Sequence, residues 1–226
     1  MRVKNIIQFS VGPIGAAVLG LLTLPFVAWF FSPVDVGRMT MLQVVLGLSV
    51  SFFSLEMYQA YVREYHEVDD KHTLFKTAVL PGLVLTLFIF LVLLLLPVSF
   101  SEILFGIDSW FLTLLLLLAM FCSFLINFLA HVIRMQERGL AFSATQITPK
   151  AILLFLIGLI LLLNLDSEFK WLMLINTVAL FTSLIIFAFI TRDTWLPAIT
   201  ANFDKRLLKQ MLSDRKSTRL NSSHGI

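Results

Sequence analysis

Gln8 to Gly37 reads QFSVGPIGAAVLGLLTLPFVAWFFSPVDVG. No side chain from Phe9 to Phe31 carries a charge, which gives more than the ~20 apolar residues an α-helix needs to cross a hydrocarbon layer roughly 30 Å thick. The stretch reads as a membrane span. Ser32-Pro33 ends it, because proline has no N–H to donate and disfavours helical geometry in the residue before it. Val34 to Gly37 then reads as a turn, and hydrophobicity resumes at Met39. So short a connection returns the second span beside the first as an antiparallel hairpin. Gly12, Gly15 and Gly20 predict close approach of another backbone, and Pro13 and Pro25 predict bends. A cleaved signal peptide fits poorly, since the apolar region exceeds the roughly 7 to 15 residues of such a segment and no small-residue cleavage site follows.

The rest of the chain is of the same kind. Hydrophobic residues make up 58% of it and charged residues 14%, and the mean hydropathy is +0.92, far from a soluble domain. A polytopic membrane protein is expected. The net charge of +3 is then no argument for nucleic acid, because the positions of Lys and Arg matter more than their sum. Cys122 is the single cysteine. It has no intrachain disulfide partner and no neighbours for a metal site, so it reads as a small packing residue.

Six spans are predicted, at 9–31, 39–62, 77–97, 110–133, 142–165 and 171–191. The polar loop Arg63 to His72 separates the second from the third, which carries a predicted kink at Pro81-Gly82. Residues 98–109 form a mildly amphipathic connection without Lys or Arg. The fifth span is less obvious, because Ala151 to Leu165 alone is too short to cross. It must begin near Phe142, which draws Gln146, Thr148, Pro149 and Lys150 into its first turns. Residues 166–170 read as a tight turn, and 195–212 as a linker followed by an amphipathic basic helix.

Alternating crossings can be tested against charge, since cytoplasmic loops hold the Lys and Arg residues. With the N-terminus inside, Arg2, Lys4, Arg63, Lys71, Lys76, Arg134, Arg138, Lys150, Arg192, Lys205, Arg206 and Lys209 fall on the cytoplasmic side, and Arg38 and Lys170 on the other. That asymmetry supports both the orientation and the number of crossings. The expected fold is an all-α membrane bundle, a six-helix lobe over 1–213. Residues 214–226 differ in kind: Asp214 to His224 is polar and aperiodic, and reads as one frame of a common sequencing-library adapter. We expect it to be read-through, with the natural protein continuing past Ser213.

Ionisable groups inside spans are costly and usually face a bundle interior or a wet cavity. In the second span Glu56, Gln59 and Arg63 fall at i, i+3 and i+7, one stripe of a helix. In the fourth, Asn127, His131 and Arg134 fall at i, i+4 and i+7, and in the fifth Gln146 and Lys150 are one turn apart. All lie toward the cytoplasmic ends of their helices and are expected to converge on one cationic vestibule. Such a vestibule suits an anionic headgroup such as a pyrophosphate. Plainer roles stay open. Arg63 and Arg134 also fit topology determinants at helix ends, and Lys150 could carry its amine back to the interface on its long stem. His131 also fits a hydrogen-bonded packing residue. Glu56 has a short stem and no such escape, although Arg63 could neutralise it. No catalytic set, metal-spaced cluster or phosphate-cradling glycine loop appears, so neither an enzyme nor a cofactor is expected. An acyltransferase built on His131 would lack a partner acid at helical spacing.

Several stretches, taken in order, resemble lipid-linked oligosaccharide flippases, the polysaccharide (Wzx or O-antigen) branch of the multidrug/oligosaccharidyl-lipid/polysaccharide exporter superfamily. They are Gly12 to Gly20 with Leu24-Pro25, the turn Phe31 to Gly37, Glu56, and Arg63 to Glu67. Further on come Arg134 with Gln136-Glu137-Arg138, Gln146, and Phe203-Asp204-Lys205 with Leu207-Leu208. The resemblance covers Gln8 to Leu212. It implies a MATE/MOP-type transporter of two similar six-helix lobes, of which this chain would hold the first. Such a transporter moves undecaprenyl-pyrophosphate-linked sugar units outward across a bacterial inner membrane, for lipopolysaccharide and related polymers. Arg63, Arg134 and Lys150 would attract the pyrophosphate, while Glu56 would couple to H+ or Na+ or position the arginine. Membrane lipids and a polysaccharide polymerase are the further partners implied. The alternatives are a multidrug or cation antiporter of the same superfamily and a membrane scaffold that holds the polymerase.

Overall fold

The computed structural model describes residues 3–97, 99–163 and 168–212, with side chains from residue 8 onward. The elements are α1 (Val3–Phe30), α2 (Pro33–Ser54), α3 (Met57–Glu64), α4 (Lys71–Leu95) and α5 (Phe100–Phe105), followed by α6 (Trp110–Met135), α7 (Gly139–Leu162), α8 (Phe169–Ile190) and α9 (Arg192–Thr200). Residues 205–212 are also helical, and no strand occurs among the described residues. Six helices, α1, α2, α4, α6, α7 and α8, are long and apolar enough to cross a membrane. The protein is an all-α membrane protein, as the hydropathy predicts. The segment 214–226 lies outside the described residues, as do the end of the expected fifth span and the first two residues of the turn at 166–170.

Successive crossings alternate in direction. At one end Arg38 pairs with Asp35 at 3.0 Å and donates from Nε to the Phe105 carbonyl at 2.9 Å. The Phe105 and Phe169 rings meet there with centroids 4.9 Å apart. The opposite, basic end carries the 65–70 loop, residues 136–138 and α9. There Lys76 donates to the carbonyls of Ile199 and Ala201 at 2.8 and 2.7 Å, and the Gln136 amide to Thr194 Oγ1 at 2.9 Å. Thus the residues after the last span lie across the ends of α4 and α6. α6 is the most buried of the six crossings, and its Phe124 and Phe128 lie in the core with Tyr61, Phe75 and Phe187.

Two local readings change. Residues 34–37, expected to turn, form the first turn of α2. Ser32 is its N-cap, accepting the Asp35 amide at 3.2 Å, and Pro33 occupies the first turn, where a missing N–H costs nothing. The link to α1 is therefore even shorter. The predicted second span, 39–62, is two helices. Leu55 and Glu56 have φ of 48° and 55°, left-handed values that a β-carbon disfavours, and the chain breaks there between α2 and α3. Around the break the Glu56 amide donates to Ser54 Oγ at 3.3 Å and the Leu55 amide to the Phe52 carbonyl.

The expected hairpin of the first two spans is splayed, because α1 packs chiefly on α7 and barely touches α2. A β-carbon at Gly12 would stand 2.8 Å from Ser143 Cα, and one at Gly15 would stand 2.8 Å from the Ile147 side chain. That bare face is what lets α7 come close. The Ser143 hydroxyl accepts the Gly12 amide at 3.0 Å and donates to the Gln8 carbonyl, entering the backbone ladder of α1 one residue before Pro13. Such an insertion beside a proline is a recognised cause of bending. Drawn toward α7, α1 leaves space on its other side.

Candidate functional site

That space is a cavity of about 570 Å³ between α1, α2, α6, α7 and α8, within the range of small-ligand sites. Its walls are mostly aliphatic, including Leu24, Val27, Leu46 and Leu153. Polar lining comes from Thr23, Thr40, Gln43, Ser123, Gln146, Lys150 and Asn176. Thr23 and Thr40 turn their hydroxyls back to the carbonyls of Leu19 and Val36. What remains for a ligand is Ser123, three amides and one ammonium. Among the described lining residues there is no carboxylate and no second cation.

The Lys150 amine donates to the Ala16 carbonyl of α1 at 3.0 Å, bridging α7 and α1 across the cavity wall. An ammonium has three N–H donors, so one such bond leaves capacity for an anionic oxygen. Gly20 faces it, and a β-carbon there would lie 3.5 Å from Nζ, ordinary contact that crowds nothing. Pro149, also in the wall, removes one amide from the α7 ladder.

Of the residues predicted for one vestibule, only Gln146 and Lys150 line this cavity. The others form a second group at the basic end. Glu56 is half-buried in the left-handed break before α3, so the stripe with Gln59 and Arg63 is not one continuous helix. Gln59 is exposed and donates to Tyr58 Oη at 3.2 Å. Arg63 and Arg134 are exposed in the last turns of α3 and α6. Asn127 and His131 are half-buried on α6, and the imidazole stacks on Tyr58. The atoms Asn127 Oδ1 and His131 Nδ1 are buried and have no hydrogen-bond partner among the described residues. The structure therefore joins the α3 and α6 sets to each other and keeps both apart from the cavity.

Two cavity amides were missed from the sequence. Gln43 on α2 donates from Nε2 to Asn176 Oδ1 on α8 at 3.2 Å, and Asn176 Nδ2 is buried without a partner among the described residues. Each is the single amide of its helix, and the polar residues at helical spacing, Thr40 before Gln43 and Ser183 after Asn176, carry no charge to draw notice. Intramembrane polarity alone was the available signal.

Near the Arg38 end a smaller cavity of about 370 Å³ is lined by Asp35, Arg38, Glu168 and Lys170 with Phe111 and Phe169. No group of three or more His, Cys, Asp or Glu that could hold a metal occurs among the described residues.

A family model described as polysaccharide biosynthesis protein matches residues 2–222. Neither a curated protein nor a solved structure matches the chain.

Proposed function

The chain belongs to the polysaccharide biosynthesis protein family, and from that membership we propose that it is a flippase of the Wzx type, in the multidrug/oligosaccharidyl-lipid/polysaccharide exporter superfamily. Its cargo is an undecaprenyl-pyrophosphate-linked oligosaccharide repeat unit, moved outward across a bacterial inner membrane with the N-terminus and the basic end in the cytoplasm. It serves transport rather than catalysis, in the assembly of O-antigen or a similar polymer. The observation that carries this reading is Lys150, the one cation among the described lining residues of a largely apolar cavity between helices long enough to span. A pyrophosphate meeting that ammonium would exchange water for a charge-assisted hydrogen bond in a medium where such a bond is strong. The aliphatic walls suit the lipid part.

Arg63, Arg134 and the stacked pair Tyr58 and His131 lie at the proposed entrance, where exposed cations raise the local concentration of an anionic headgroup. Glu56, between them and the span, is the proposed coupling group for H+ or Na+, and a polymerase is the proposed downstream partner. An antiporter for cationic drugs is less well supported, because the described cavity lining offers no carboxylate to a cation.

The test uses the complete gene product in its host. Lys150→Ala and Glu56→Gln should each lower surface polysaccharide at unchanged protein abundance, while Lys150→Arg should retain part of the activity. Unchanged polysaccharide in both of the first two variants would end this reading of the site.

A further inference from the structure

We infer that the Gln43 and Asn176 amides form a second binding station in the large cavity, one that takes the uncharged, hydroxyl- and amide-bearing sugar rather than the phosphate. This rests on the flippase reading and adds to it the residues that sense whether a sugar is attached.

The two amides meet through a single hydrogen bond, Gln43 Nε2 to Asn176 Oδ1 at 3.2 Å. Each amide has two N–H donors and one carbonyl acceptor, so most of the pair's capacity is unspent. Asn176 is only 4% exposed and its Nδ2 has no partner among the described residues. A buried donor left unmade is disfavoured, so a ligand or water that reaches it gains a bond the fold does not supply. Both side chains line the same cavity as Lys150, from different helices.

The two stations stand on different helices. At ~1.5 Å per residue, Lys150 lies about 16 Å into α7 from the basic end and Gln43 about 16 Å into α2 from the end that leads into α3, while Asn176 lies about 21 Å into α8 from its basic end. Asn176 thus reaches about one helical turn deeper than the ammonium, and Gln43 meets it from α2. Their chemistry differs as well. A pyrophosphate is served best by a cation, while neutral groups that both donate and accept match hydroxyls and acetamido groups. A site that hydrogen-bonds such groups discriminates strongly against an analogue lacking them, because its own polar atoms are then left bare. A plain structural hydrogen bond between α2 and α8 would hold the helices together without any such discrimination.

The experiment measures binding of two probes to the complete gene product in lipid nanodiscs: a polyprenyl-pyrophosphoryl N-acetylhexosamine and the same polyprenyl pyrophosphate without sugar. The native protein should prefer the sugar-bearing probe by roughly tenfold, the size expected for one or two net hydrogen bonds. Asn176→Leu and Gln43→Leu should each abolish that preference and leave the sugarless probe within about twofold. Lys150→Met should weaken both probes alike and preserve the preference. Gln43 is exposed to the cavity, so its variant decides the matter if Asn176→Leu fails to fold. The inference is overturned if the native protein binds the two probes equally, if the preference survives in the leucine variants, or if those variants lose both probes in parallel. Binding of neither probe by the native protein would overturn the flippase reading itself.

Discussion

The Tyr58 ring lies almost flat on the His131 imidazole, with centroids 4.4 Å apart and planes 16° from parallel. This stack seats the short helix α3 on the end of the central helix α6, and it brings together two polar sets that lie about 70 positions apart in the chain. The imidazole contributes as a flat surface, since its Nδ1 is buried without a hydrogen-bond partner among the described residues.

His131→Phe keeps the ring and removes the unpaired nitrogen, so it should leave thermal stability in detergent within about 0.5 kcal/mol of native or raise it slightly. His131→Ala removes the stack too and should cost about 2 kcal/mol. Equal losses in both variants would mean that a bond to the imidazole, and not its face, holds the helices.

The break between α2 and α3 gives a second expectation. Glu56 has φ of 55°, where glycine avoids a penalty of about 1 kcal/mol that any side chain incurs. Glu56→Gly should therefore be more stable than Glu56→Ala by about that amount in the same unfolding assay, the reverse of their order inside a regular helix. Alanine equal to or above glycine would place Glu56 in an ordinary helix.

Close approach of α4 to α2 depends on Gly82. A β-carbon there would stand 2.4 Å from the Phe53 carbonyl oxygen and 3.0 Å from the Phe124 ring, a clash with backbone that no rotamer change can relieve. Gly82→Ala should lower stability by about 1 to 3 kcal/mol. Gly47→Ala is the matched control, because a β-carbon at Gly47 meets nothing within 4 Å and should not destabilise.

Asp70 caps α4, accepting the Thr73 hydroxyl at 2.7 Å and the amides of Thr73 and His72 at 3.1 and 3.0 Å. These bonds, that of the Thr73 hydroxyl foremost, hold its carboxyl below the ordinary aspartate value. With the folded value lowered, the stabilisation is complete above the unfolded value of ~3.9 and disappears as pH falls through the lowered one. Asp70→Ala should cost about 1 kcal/mol at neutral pH, and its deficit against the native protein should shrink steadily on acidification below about pH 4. A deficit that does not change with pH would argue against the ionised cap.

The six crossings were legible because each is a long apolar run, and even the short fifth run was extended upstream past Lys150 on length alone, where the structure has α7. The break at Leu55 and Glu56 was not, since neither residue is glycine, asparagine or proline and nothing local announces a left-handed pair. The cavity was half legible. Charge drew attention to Lys150, and Gln146 followed at helical spacing. Gln43 and Asn176 reach each other only through packing, across 133 positions, and periodicity along one helix carries no information about such a meeting. The same limit explains why one vestibule was expected where the fold provides two separate places: rise along each helix gave the depth of a residue but not the direction in which it faces.

The Ser143 clasp on α1 also bears on the order in which the protein assembles. Gly12 and Ser143 are 131 positions apart, and the second span to leave the ribosome gives α1 almost no contact. On N-to-C insertion α1 therefore waits, its glycine face unpacked, until α7 has followed it. That seam closes late, between the first crossing and the fifth.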